Sequence, residues 1–374
     1  MNEDIMENKE DIGSDRAQSA QPMQPIWSVQ PTIVPDFKKV CVRIGLMMIV
    51  VFATRCICSV ALVLARPIYI GWNEVGKTLL QTVASIVFLN VIPITAGLYI
   101  LKFPLKIEAR QMYAKPKYFG RALGMFPAGY GAAMTMSLLT MLIGRLFVGT
   151  PIEDSFNAVE DLFTSSNMTS ALVLFFHTVV LAPLFEEFWF RGLVLQSLRP
   201  YGNGFAIFVS ALLFGLTHAN LAQFFYTTTI GIILGYVAVQ TGSVVTTTVM
   251  HAMFNGIAGI TSLLLANFDV QQYMLDLTTG TDIEKPPIVI VYIVWASLVL
   301  TMAFVGFIMA IVKLVHIRRY RVPKVQTEMS SKRRWGIFLS RPTVVIMLLM
   351  ALDTMTIAFV TEQLKDLFVN IFYG

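Results

Sequence analysis

The sequence is poor in charge and in cysteine. Lys, Arg, Asp and Glu together make up 14% of its 374 residues, whereas soluble domains carry roughly a quarter of such residues. Three cysteines are present, Cys41, Cys56 and Cys58, and their spacing offers neither a disulfide framework nor a set of metal ligands. These shortages exclude a soluble enzyme, a secreted disulfide scaffold and a nucleic-acid-binding protein.

Apolar residues are abundant instead, at 56% of the chain, and the mean hydropathy is +0.67. They are grouped in blocks of about twenty residues, the length a helix needs to cross roughly 30 Å of hydrocarbon. We therefore predict an all-α fold, a polytopic transmembrane bundle of eight or nine spans in a lipid bilayer. The count depends on 204–240, where two blocks are short. The blocks are 44–64, 79–101, 120–148, 169–199, 204–218, 222–240, 244–266, 288–312 and 342–362.

The charges between the blocks predict the orientation. The stretches 102–121 and 313–341 are strongly basic, which is typical of cytoplasmic loops. The stretches 149–168 and 267–287 are acidic and should lie outside. Nine spans satisfy all four assignments and place the N-terminus in the cytoplasm, as in a multi-pass protein of the cell membrane.

Four regions follow from this pattern. The first 36 residues are polar and rich in proline, without the charged and apolar segments of a cleaved signal peptide, which predicts a disordered cytoplasmic tail. N-terminal spans (37–168), a candidate catalytic core (169–266) and C-terminal spans with a basic cytoplasmic loop (267–374) follow. Small residues within 124–144 predict a face for close helix packing.

Ionisable residues inside spans are costly and are therefore candidates for function. Glu187 and Arg191 are four residues apart with the acid first, the favourable order for an ion pair on a helix. Glu186 is rotated about 100° away from Glu187 on the same helix. We predict that Glu187 and Arg191 form a structural pair, and that Glu186 faces another helix as a candidate general base.

Three further polar residues lie deep in later blocks. His218 ends one block, and His251 and Asn255 share a face one turn apart. Counted at 1.5 Å per residue from the nearest predicted loop, Glu186, His218, His251 and Asn255 lie roughly 14–20 Å deep. We expect these four groups to converge in one layer, whereas His177 is out of phase and structural, and His316 is solvated.

The residue types narrow the chemistry. The sequence lacks His-Glu-x-x-His, Gly-x-Ser-Gly and paired aspartates within spans, since Asp353 is the one aspartate inside a block. A carboxylate and an imidazole can deprotonate a water, and an imidazole with a carboxamide N–H can stabilise an oxyanion. Glu186, His218 and His251 could instead bind Zn²⁺ and activate its water. Asn255 suits an oxyanion donor better than a metal ligand.

Glu186-Glu187-x-x-x-Arg191-Gly192, Phe214-x-x-x-His218 and His251-x-x-x-Asn255 occur in this order. Together with Thr241-Gly-Ser243, they resemble the CPBP family of intramembrane CAAX-processing (type II CAAX endopeptidase, or Abi) and bacteriocin-processing or immunity proteins. The resemblance covers about 169–266. It implies a site that opens to the cytoplasm, where the first glutamate and first histidine activate water. It also implies that the second histidine and the asparagine form the oxyanion site, with or without a metal.

Three functions remain open at this point. The intact Glu/His/His/Asn set favours an intramembrane endopeptidase that acts on a peptide or protein substrate in or at the membrane. The alternative is a non-catalytic immunity or scaffold protein of the same fold. A secondary transporter is less favoured, because the sequence shows neither an internal repeat nor a pair of broken helices.

Overall fold

The structure, a computed structural model, describes residues 36–108, 112–148, 167–266, 279, 287–325, 327 and 329–373. These residues are 86% helical, and no strand occurs among them, which confirms the all-α class. Ten helices of nine residues or more build the described part of the chain. They are α1 (Phe37–Tyr69), α2 (Glu74–Lys102), α3 (Phe126–Val148), α4 (Met168–Tyr201), α5 (Asn203–Leu216), α6 (Leu221–Thr241), α7 (Val244–Leu265), α8 (Pro287–Val315), α9 (Ser331–Leu339) and α10 (Pro342–Tyr373).

Seven helices of the described chain are long and apolar enough to cross a membrane, and an eighth span results if α9 and α10, which meet at a 72° bend, are taken together. The polytopic bundle is thus confirmed with seven or eight spans. Of the nine predicted spans, the one at 204–218 is too short to cross the membrane. Its helix α5 has 14 residues and reaches about 21 Å, which is short of the roughly 30 Å hydrocarbon core.

The two basic segments lie at the same end of the bundle. The Lys117 backbone N–H donates to the Thr241 carbonyl, 3.1 Å away, at the turn between α6 and α7. The Asn203 amide, at the start of α5, donates to the Pro323 carbonyl at 2.9 Å. Because α5 and α6 form a helical hairpin, both turns lie at one end. Residues 1–35 of the predicted tail and most of both acidic loops lie outside the described residues. The assignment of this end to the cytoplasm therefore stays a prediction.

Helices α3 and α8 cross with their backbones in contact. A Cβ atom built on Gly131 would lie 2.1 Å from the Phe307 nitrogen, and one on Gly306 would lie 2.0 Å from the Pro127 carbonyl oxygen. Only glycine allows such a close approach, and in lipid this close packing replaces the hydrophobic effect as the cause of helix association. The predicted packing face in 124–144 is confirmed at Gly131.

Candidate active site

The helix that carries the two glutamates, α4, is not a regular α-helix. It is wound as a π-helix over His177–Leu181 and again over Phe188–Val194. Pro183 has no backbone N–H and its ring displaces the carbonyl four residues earlier, so that the turn before it has to widen. Such widened turns occur frequently at functional sites. The glutamates lie between the two, in the α-helical turn Ala182–Glu187.

Glu187 and Arg191 form a fully buried ion pair. Arg191 Nη1 lies 2.8 Å from Glu187 Oε1, and neither side chain is exposed. Arg191 Nη2 also donates to the Gly231 carbonyl of α6 at 3.2 Å, and its guanidinium carbon lies 4.7 Å from the centre of the Phe214 ring. The pair therefore connects α4 to α5 and α6.

His251 of α7 lies between the two glutamates. Its Nδ1 is 2.9 Å from Glu187 Oε1, and its Nε2 is 3.7 Å from Glu186 Oε2. The Glu186 side chain is 27% exposed, whereas that of His251 is 4% exposed. Glu186 thus faces another helix, α7, as the sequence predicted. The contact of His251 with Glu187 was not predicted from the sequence.

The start of α7 is set by the Thr241-Gly-Ser243 turn. Gly242 adopts a positive φ of 66°, which ends α6 in the left-handed conformation that glycine allows without strain. The Ser243 hydroxyl accepts from the Val245 N–H at 3.2 Å and caps α7. His251 and Asn255 follow two and three turns later on the helix that this turn begins.

His218 lies in the turn after α5, beside the same aromatic ring. Its Nδ1 is 3.0 Å from the Phe214 carbonyl. Since a carbonyl only accepts, Nδ1 carries the proton and Nε2 is free to accept one. The Phe214 ring meets the rings of His218 and His251 edge-on, at centroid distances of 5.0 and 5.4 Å. Both imidazoles thus flank one ring.

Asn255 is held by α4. Its Nδ2 donates to the Thr178 carbonyl, 2.9 Å away, and Thr178 belongs to the first π-helical segment of α4. The acceptor defines the orientation of the amide, because a carbonyl can only receive the N–H. One N–H of Asn255 remains for a further acceptor.

The zinc site that the sequence left open does not fit the described side chains as they are placed. Among the described residues, no three His, Cys, Asp or Glu side chains are grouped so that they could hold a metal ion. Glu186 and His251 approach each other, but His218 does not complete a set of three donors with them. The chemistry of this site is therefore assigned to the protein's own side chains.

The structure thus brings Glu186, Glu187, Arg191 and His251 into one connected group, with His218 and Asn255 beside it. His316 is exposed, as expected for a solvated residue. Two partners of the site did not emerge from the sequence. Thr178 acts through a backbone carbonyl, which no side-chain pattern reveals. The second is Arg55 of α1, which donates to the Thr217 carbonyl next to His218 at 2.7 Å.

Residues 168–257 match the family described as Rce1-like, type II CAAX prenyl endopeptidase. The match begins within one residue of the predicted core, 169–266, and includes every candidate site residue. No curated protein and no solved structure matches the chain. The resemblance to CAAX-processing proteases is confirmed over this segment, which is about a quarter of the chain. The protein is thus a multi-pass membrane protein in which one segment matches a protease family.

Proposed function

We propose that the protein hydrolyses a peptide bond with a water activated by Glu186 and His218, since residues 168–257 match the type II CAAX prenyl endopeptidase-like family. The observation that carries this proposal is the position of Glu186. Of the two glutamates, Glu186 is the partly exposed one, and its carboxylate lies 3.7 Å from His251. Its neighbour Glu187 is already bound to Arg191. Glu186 is therefore the carboxylate that is free to take a proton.

His218 is suited to assist the attack. Its Nδ1–H donates a hydrogen bond to the Phe214 carbonyl, so the lone pair of Nε2 is available to a water. In the first step the water oxygen attacks the peptide carbonyl carbon while its proton passes to Glu186. In the second step the carbon–nitrogen bond breaks and the proton passes from Glu186 to the leaving amine, so that the enzyme returns to its initial state.

His251 and Asn255 are proposed to bind the oxyanion of the tetrahedral intermediate. Since Nδ1 of His251 donates to Glu187, Nε2 can donate to an oxyanion only when the ring carries both protons. The two glutamates supply the negative charge that such an imidazolium needs. Once Glu186 has taken the proton of the water and is neutral, the oxyanion takes its place as the second negative charge beside His251. The N–H of Asn255 that is not bound to Thr178 is a further donor to the oxyanion.

The substrate is proposed to be a peptide or protein segment at the membrane, which enters from the end of the bundle that carries the basic segments. If that end is cytoplasmic, as the loop charges predict, then cleavage takes place near the cytoplasmic side. Glu187 and Arg191 are proposed to support the site by holding His251 in place, and they take no part in proton transfer.

The test is cleavage of an internally quenched peptide with an apolar C-terminal part by purified full-length protein in lipid nanodiscs. Glu186→Gln keeps the shape of the side chain and removes the base, so activity should be lost while thermal stability is kept. Glu74→Gln is the matched control, because Glu74 is 59% exposed at the start of α2, and it should cleave at the wild-type rate.

A strong chelator is added to the same assay. Activity should persist in its presence, because none of the proposed steps uses a metal. Full activity of Glu186→Gln would refute the base. Loss of activity in the chelator, restored by Zn²⁺, would refute the metal-free mechanism and make Glu186 a candidate ligand.

A further inference from the structure

Arg55 lies within the first membrane span and contacts the turn that carries His218. Its Nη1 donates to the Thr217 carbonyl at 2.7 Å, and its Nη2 lies 3.4 Å from the His218 carbonyl. The three residues belong to elements far apart in the chain, α1 and the end of α5. The guanidinium of α1 therefore holds the backbone of a candidate site residue directly.

The Arg55 guanidinium is bound by backbone carbonyls at the C-terminal end of α5. Among the described residues, no carboxylate lies within 4 Å of the Arg55 guanidinium. Helix α5 ends at Leu216, and the last carbonyls of a helix lack hydrogen-bond partners and carry its negative partial charge. The planar fork of arginine can donate to two neighbouring carbonyls at once. A charge within a span is costly, which makes Arg55 a candidate for a functional role.

The backbone that Arg55 binds determines the position of the His218 imidazole. Immediately after His218, Ala219 adopts a positive φ of 52°, a conformation that is unfavourable for a residue with a Cβ atom and that the surrounding structure has to maintain. The ring itself is tied back to Phe214 through Nδ1. The direction of Nε2 thus depends on a short turn whose carbonyl groups are bound by Arg55 of α1.

We propose that Arg55 is a positioning residue for His218. It keeps the turn at the end of α5 in the conformation in which Nε2 of His218 can accept a hydrogen bond from the attacking water, while Glu186 takes the proton. This inference rests on the proposed function, in which His218 assists the attack. Arg55 itself does not contact the reacting atoms, so its loss should slow the chemical step and leave substrate binding almost unchanged.

Arg43 provides a matched control on the same helix. Its Nη1 donates to the Ile100 carbonyl of α2 at 2.9 Å, so it makes the same kind of bond from α1 to the end of another helix. The difference is that Ile100 is not next to any candidate site residue. A general role of arginines in anchoring α1 would therefore appear equally in both positions.

The experiment measures kcat and KM of Arg55→Met, Arg55→Lys, Arg43→Met and His218→Ala in the nanodisc assay, together with their melting temperatures. We expect Arg55→Met to lower kcat by roughly ten- to a hundredfold with KM almost unchanged, because a small misplacement of a reacting group has an effect of this size. Arg55→Lys should recover part of kcat, since an ammonium can still donate to these carbonyls. Arg43→Met should keep the wild-type kcat.

Two results would overturn the positioning role. One is a wild-type kcat for Arg55→Met, and the other is an equal loss of kcat in Arg55→Met and Arg43→Met in proportion to lost stability. If Arg55→Met does not fold, Arg55→Lys and Arg43→Lys are compared, and equal kcat values refute the proposal. Full activity of His218→Ala refutes the proposed function itself, and this outcome is separate from the others.

Discussion

Glu187 Oε1 is shared between Arg191 Nη1 at 2.8 Å and His251 Nδ1 at 2.9 Å. One carboxylate oxygen thus joins a cation of its own helix to an imidazole 64 residues further along the chain. Because all three side chains are almost completely buried, none of them can exchange its partner for water. The orientation of His251 is therefore coupled to the ion pair of α4.

Breaking this ion pair should destabilise the protein. Glu187→Gln leaves the buried guanidinium of Arg191 without a counter-charge, and such a loss typically costs about 3–5 kcal/mol of unfolding free energy. The measurement is denaturant-induced unfolding of the purified protein in detergent. The double variant Glu187→Gln with Arg191→Met should be more stable than Glu187→Gln, because it no longer buries an unpaired cation.

The control for this prediction is the exposed pair between Glu74 and Lys77, whose nitrogen and oxygen lie 3.7 Å apart. Solvent screens such pairs strongly, so Glu74→Gln should unfold almost as the wild type does. A Glu187→Gln variant that is as stable as Glu74→Gln would contradict a structural role of the buried pair. If that variant were also inactive, the roles of the two glutamates would have to be exchanged.

Asn255 should affect the chemical step more than binding. Asn255→Ala removes a donor to the developing oxyanion, and losing one such donor lowers kcat by about 10²–10³, while KM should change little. Steady-state kinetics on the peptide substrate measure both constants. Asn90→Ala is the control, since Asn90 is also a buried amide whose Nδ2 donates to a helix carbonyl, that of Ser85, 3.4 Å away. Equal effects of both substitutions on kcat would argue against the oxyanion role.

The orientation in the membrane can be tested by cysteine labelling. In a variant whose three native cysteines are replaced by serine, Ser331→Cys lies in the basic segment and Asp276→Cys in the acidic loop 267–287. An impermeant maleimide added to intact cells should label Asp276→Cys and leave Ser331→Cys unlabelled until the cells are opened. The opposite pattern would reverse the orientation inferred from the loop charges.

The crossing of α3 and α8 should not tolerate a side chain. In Gly131→Ala, the new Cβ atom would overlap the Phe307 backbone nitrogen, 2.1 Å away, so that the two helices have to separate, at a cost of about 1–3 kcal/mol. Gly336→Ala is the control, because nothing lies within 4 Å of its Cβ position and alanine favours the helix. Thermal unfolding in detergent compares the two, and equal melting temperatures would show that the crossing can adjust.

The sequence predicted the features that depend on neighbouring residues. Apolar blocks of membrane-spanning length appear as helices, because burying unpaired backbone groups in hydrocarbon is costly for any other conformation. The contact between Glu187 and Arg191 followed from their separation of four residues, which brings side chains together on a helix whatever surrounds it. The number of spans was overestimated at nine, because the short apolar block at 204–218 was counted as a span, whereas its helix α5 has only 14 residues.

The remaining contacts were decided by the tertiary structure. Which atoms meet between two helices depends on their rotation and on their offset along the axis, and the helical period of one segment contains neither quantity. Thus the sequence places His251 at the depth of Glu186, but only the packing of α7 against α4 sets it between both glutamates. For the same reason the bond from Arg55 to the end of α5 could not be read from the apolar block in which this arginine lies.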